Sequence, residues 1–129
     1  MLNEIREKLE KLQEKDSDTY GKVVMYGRVV NDKVPAEWNY ITFNRESIRR
    51  TGTNKRDFNE YFEINLVHED FIPEEAVYEL VSNLEAVKGL KQADADVIFN
   101  YATKKNTSTV VEVATITFTH PVKGYTKSL

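Results

Sequence analysis

Cysteine is absent from the 129 residues of this chain, which excludes disulfides, thiol nucleophiles and cysteine-based zinc sites and suits a reducing compartment. No stretch approaches the roughly 20 apolar residues of a membrane span, and the opening MLNEIREKLEKLQEKD lacks the apolar centre of a signal peptide. A soluble, intracellular protein is expected. Charge of one sign is also missing: a net charge of −3 spread over 30% charged residues gives no case for dedicated nucleic-acid binding. Internal repeats, low-complexity segments and interdomain linkers are absent too, so the length reads as one domain over residues 1–129. There is no G-x-S-x-G, no glycine-rich phosphate loop and no His-Glu-x-x-His, and His68 and His120 stand alone. No set of catalytic roles can be assembled from what remains, so the expectation is a protein that is not an enzyme, with no metal, no cofactor and no small-molecule substrate.

What is present centres on residues 58–90. Phe62, Ile64 and Leu66 alternate with Tyr61, Glu63, Asn65 and Val67, the period of a half-buried strand. From Pro73 the period lengthens. Val77, Leu80, Val81, Leu84 and Val87 mark one face of a helix that Gly89 can close in a left-handed conformation.

Upstream, Leu2, Ile5, Leu9 and Leu12 form the narrow stripe of a first helix, with Glu4 before Lys8 and Glu7 before Lys11 as helical ion pairs. Residues 20–30 read as a strand in which Gly27 marks a bulge or a close backbone approach. NDKVP at 31–35 is turn chemistry, and residues 38–43 read as a second strand, a hairpin partner for the first. Downstream, 97–101 and 110–119 pair as a hairpin across the polar turn KKNTS, and 120–129 form a loose tail. The expected fold is α+β: a single mixed, mainly antiparallel sheet of about five strands with two helices on one face, in the order α-β-β-β-α-β-β.

Two local clusters invite chemistry. Residues 44–57 lack an apolar period and carry Arg45, Arg49, Arg50, Lys55 and Arg56, so they read as a long mobile basic loop that meets phosphate or a neighbour's carboxylates, or stays solvated. His68-Glu69-Asp70 suggests a metal or acid–base site, but successive strand residues point to opposite faces and cannot converge on one ion. A strand exit is the simpler reading, with Asp70, Glu74 and Glu75 complementing the dipole of the helix that follows. Thr115, Thr117 and Thr119 alternate along the last strand and imply a face that meets solvent or another subunit.

With the elements placed, residues 36–121 resemble small tail-completion or tail-terminator proteins of long-tailed bacteriophages and prophages. The resemblance is carried by WNYITFNRES at 38–47, then His68-Glu69-Asp70, Phe71-Ile72-Pro73 and Gly89-Leu90. It continues through Asp94 and Asp96, Phe99-Asn100-Tyr101, Lys105-Asn106 and Thr109-Val110-Val111-Glu112. The first helix matches only in general character. The resemblance implies a homo-oligomeric ring, commonly a hexamer, at the head-proximal end of the tail tube, ending tube growth and joining tail to head. The implied partners are copies of the chain itself, the tail tube protein and a head-completion or connector protein, with DNA passing through the lumen unread and no membrane involved. The implied location is the bacterial host cytoplasm during assembly and then the virion tail. The residues expected at assembly contacts are Arg45, Arg49, Arg50, Lys55, Arg56, Thr115, Thr117, Thr119 and Tyr125. The rival readings are a head-closure or minor tail protein of the same junction, and a cytoplasmic adaptor or nucleic-acid-binding module that uses the basic loop.

Overall fold

A computed structural model describes residues 1–53, 55–93 and 96–125. Asn54 of the basic stretch, Asp94 of the acidic connector and positions 126–129 of the tail lie outside the described residues. The fold is α+β. Its helices are α1 (Leu2–Lys15), α2 (Ser17–Tyr20) and α3 (Ala76–Glu85). Six strands among the described residues form one mixed, mainly antiparallel sheet: β1 (Val24–Tyr26), β2 (Tyr40–Arg50), β3 (Phe58–Glu69), β4 (Lys91–Gln92), β5 (Ile98–Thr103) and β6 (Val110–Val122). Strands β2, β3 and β6 make the body, with β1 outside β2, and β4 and β5 both paired with β6. No helix among the described residues is long and apolar enough to cross a membrane.

The alternation in β3 sets the layers. Phe62, Ile64 and Leu66 stand opposite Phe118, Ile116 and Ala114 of β6, and Leu66 and Ile64 stand opposite Ile41 and Phe43 of β2. These side chains share one core with Ile5, Leu9 and Leu12 of α1 and Leu80 and Leu84 of α3, so both expected apolar stripes are buried on one face. The other face is open apart from a small cluster at one end, where Met25, Tyr40, Val67 and Val111 gather with Trp38.

Several expectations are corrected. Residues 44–50 belong to β2, so the basic stretch is a long hairpin arm with a turn confined to 51–57. An apolar period is not needed there, because the arm is held by pairing with β3 down to Arg50 opposite Phe58. Residues 20–23 are not strand: Tyr20 ends α2, and only Val24–Tyr26 pair. β1 lies parallel to β2, so the two are not a hairpin; the chain between them makes a 3₁₀ turn at Asn31–Lys33 and returns to the same end of the sheet. α3 begins at Ala76, since Pro73 to Glu75 form a hydrogen-bonded turn ahead of it, with Ala76 N donating to Pro73 O at 3.0 Å. The two short elements α2 and β4 extend the expected order.

The close backbone approach lies at Gly21, not Gly27. Gly21 has φ +76, and a Cβ there would fall 2.1 Å from the carbonyl oxygen of Asn39, whereas a Cβ on Gly27 would meet open space. Gly89 does take a positive φ, +83, but α3 ends at Glu85 with Ala86 as its C-cap, so Val87 and Gly89 belong to the turn that follows and Gly89 does not close the helix. β6 runs on to Val122 through Pro121, whereas the sequence suggested a strand ending at Thr119 and a loose tail from 120. Among the described residues, β6 beyond Thr119 is flanked by β3 alone, a setting in which a proline's missing N–H is tolerated.

Candidate assembly surfaces

The hairpin arm is built from alternation interrupted by one bulge. The register of β2 against β3 slips between Arg45 and Ser47, making Glu46 the extra residue. Past the bulge, Arg49 lies over the ring of Tyr61 with its Cζ 4.7 Å from the centroid, and Arg50 lies over Phe58 at 5.0 Å. Arg50 also donates to the carbonyl of Lys55 at 2.7 Å, and Thr51 N donates to Asp57 O at 3.1 Å, which closes the turn. Arg45, Arg49, Arg50, Lys55 and Arg56 are all exposed. Among them stands Ile48, a β-branched residue 59% exposed.

The segment after β6 packs on this arm. Gly124 N donates to Asp57 Oδ1 at 2.8 Å and Tyr125 N to Arg56 O at 3.0 Å, leaving the Tyr125 side chain exposed. Thr119 pairs with Tyr61, which carries Arg49, and its hydroxyl donates to Glu60 O at 3.1 Å. The expected contacts Arg49, Arg50, Lys55, Arg56, Thr119 and Tyr125 therefore gather at one end of the sheet. Arg45 stands farther along β2, before the bulge. Thr115 and Thr117 stand farther along the open face. There Thr115 Oγ1 donates to Asn65 Oδ1 at 2.6 Å and Asn65 Nδ2 donates to Thr42 Oγ1 at 3.2 Å, a polar rung across three strands.

At the opposite end, His68, Glu69 and Asp70 part company. The His68 ring touches the carbonyls of Glu69 and Asp18. Glu69 accepts from Trp38 N at 2.6 Å and pairs with Lys104, whose ammonium also reaches the Ala36 carbonyl and lies over the Trp38 ring. Asp70 takes φ 65 and donates its N–H to Val110 O at 2.7 Å. The triplet is a strand exit that ties the chain to its neighbours, and its three side chains do not share a site.

Beside this exit lies a surface that sequence reasoning missed. Phe71, Pro73, Tyr78 and Phe99 line an open groove of about 630 Å³ between the start of α3 and β5. Among the described residues, Glu74, Glu75 and Glu112 are the charged members of its lining, with no lysine or arginine. Phe71 and Tyr78 are 69% and 73% exposed. Glu112 is held by Ile72 N at 2.8 Å. The Tyr101 hydroxyl, hydrogen-bonded to the Glu112 carboxylate, is pushed above the usual phenol range first by that bond and then by desolvation. β5 is exposed along all six residues. The aromatic spacing was the available signal: Tyr78 falls off the stripe formed by Val77, Leu80, Val81 and Leu84, and Phe71 precedes the helix altogether.

The helical layer is fastened separately. Lys15 of α1 pairs with Glu79 of α3 at 2.8 Å, and Tyr20 OH donates to the same carboxylate at 2.7 Å. The Lys15 ammonium and then the Tyr20 hydroxyl hold the Glu79 carboxyl below its usual range. Burial, ahead of its bond to Glu79, pushes the Tyr20 phenol far up, and the phenol stays protonated.

No family model matches the chain, and no curated protein matches it. One solved structure aligns over 98% of this chain and 99% of its own, at 14% identity and a TM-score of 0.43.

Proposed function

We propose that the protein is a structural subunit of a long-tailed phage or prophage particle. It forms a ring at the head-proximal end of the tail tube, ends tube growth and joins tail to head, with no reaction to catalyse. The resemblance over residues 36–121 motivates the reading, and β5 is the observation that carries it. Soluble proteins guard edge strands with lysines, prolines or covering elements. β5 carries Ile98, Phe99 and Tyr101 exposed, with neither lysine nor proline among its six residues. An edge left in that state fits a subunit completed by neighbours. The partners are other copies of the chain, the tube protein and a head connector, with DNA passing through the ring unread. Assembly takes place in the host cytoplasm, and the finished subunit resides in the tail. A head-closure or minor tail protein of the same junction would use the same surfaces.

The basic arm favours a second reading, a nucleic-acid-binding module. Electron microscopy and sizing of the purified protein, alone at high concentration and mixed with tail tubes, separate the two. Rings with a central channel, free or capping tubes, are expected. A strict monomer under both conditions that binds DNA with steep salt dependence overturns the ring reading. Arg49→Glu with Arg50→Glu is expected to abolish rings and tail joining; intact rings and joining in that variant remove the arm from the interface.

A further inference from the structure

The geometry points to a specific head-to-tail contact: the basic hairpin arm of one copy docks in the acid-rimmed aromatic groove of the next. This inference rests on the ring reading and names the surfaces that would build the ring.

Its first support is position. The arm turns back at Arg50 and Phe58, one end of β3, and the groove begins just past Glu69 and Asp70, the other end. The 12 residues of β3 separate them, roughly 35 Å of extended chain. A single copy cannot bring the two together. Two unlike patches at opposite ends of a subunit are what a heterologous contact requires, and such a contact closes into a ring when the rotation allows it.

Its second support is chemical complementarity. Residues 45–56 carry Arg45, Arg49, Arg50, Lys55 and Arg56 against one acid, Glu46. Arg49 and Arg50 already rest over the rings of Tyr61 and Phe58, so part of the entropy of ordering two long side chains is spent before docking. The groove offers carboxylates at Glu74 and Glu75 and, among the described residues, no cation in its lining. Its exposed aromatic faces, Phe71 and Tyr78, suit both guanidinium groups and an aliphatic anchor. Ile48, exposed amid the arginines, is that anchor. Ile48 shares one face of the arm with Arg50 while Arg49 stands on the other, and the groove presents an apolar floor flanked by anions, an arrangement that fixes register as well as attraction. A nucleic acid could use the arm but would be repelled by the groove; a second copy uses both.

The cysteine-free sequence allows a direct test. Ile48→Cys with Tyr78→Cys in one chain, oxidised under assembly conditions, is expected to give a covalent ladder ending at the ring size. Mixing the two single variants is expected to give covalent dimers only. Self-cross-linking of Ile48→Cys alone would show a symmetric contact and overturn the inference. Charge reversal supplies the second readout. Arg49→Glu with Arg50→Glu, and separately Glu74→Lys with Glu75→Lys, should each reduce rings at least tenfold, while the two sets combined restore them. Wild-type rings that persist in the Glu74→Lys, Glu75→Lys variant and give no Ile48–Tyr78 cross-link sink the docking and leave the ring reading standing. Cross-linked open chains without closed rings keep the docking and sink the ring. No rings and no cross-links, even on tail tubes, sink both.

Discussion

The two faces of the sheet are built from the same three strands, one residue out of step, and they differ in almost everything else. On the helix-covered face, Phe62, Ile64, Leu66, Ile116 and Phe118 are fully enclosed. On the open face the intervening positions carry Glu63, Asn65, Thr115, Thr117 and Thr119, all half-buried. Burial on the first face outweighs any contribution from the second, because enclosing a large apolar side chain contributes about 1.5–3 kcal/mol, whereas a side-chain hydrogen bond nets about 1. The step between faces therefore separates the residues that specify the fold from residues free to meet a neighbour. A one-residue slip of β3 would exchange the two sets, so the closed face also fixes which side chains the open face displays.

The largest expected effect breaks the closed face. Phe62→Ala should cost about 3–5 kcal/mol, the range for an aromatic removed from a packed core. It is read as a lowered urea midpoint with an unchanged slope. Asn65→Ala, three positions along on the open face, should cost about 1–3 kcal/mol, because it strands the hydroxyls of Thr42 and Thr115. A loss equal to that of Phe62→Ala would show the open face sharing the work of the fold and would end the contrast drawn here. The smallest effect sharpens the comparison from above the helical layer. Glu79→Gln should cost under about 1 kcal/mol, as expected of a largely solvated pair. The Glu79 carboxyl sits below its ordinary range in the folded chain. Its contribution is therefore present above that range and is lost as pH falls through the lowered folded value. Denaturant curves of wild type and Glu79→Gln should differ at neutral pH and converge in acid; a constant gap would mean that the ion pair is not the cause.

The sequence shows some of this plainly and conceals the rest for physical reasons. β3, α1, the apolar stripe of α3 and the β5–β6 hairpin are visible because each has its own period and its own turn. The arm is hidden because Arg45 to Arg50 form a strand only through a partner up to seventeen residues away, and local pattern carries no record of pairing. The parallel setting of β1 is hidden for the same reason, compounded by the Asn31–Lys33 turn. Gly21 and Gly27 look alike in a row of letters, and only the folded backbone places Asn39 against the first. The groove is masked because exposed aromatics at Phe99 and Tyr101 alternate like buried ones. Arg49, Arg50, Lys55, Arg56 and Tyr125 gather at one end of the sheet while Arg45 stands apart, and Thr115 is part of an internal hydrogen-bonded rung.

The order in which the strands pair has a consequence for synthesis. β3 is completed on one side by β2, which precedes it, and on the other by β6, the last strand to appear. Until residues 110–122 have left the ribosome, Phe62, Ile64 and Leu66 lack their partners in β6, and β3 presents one unpaired edge. Helix α1 can form early but has no finished surface on which to settle. A chain halted before Val110 is therefore expected to expose part of its core, the state on which chaperones and proteases act.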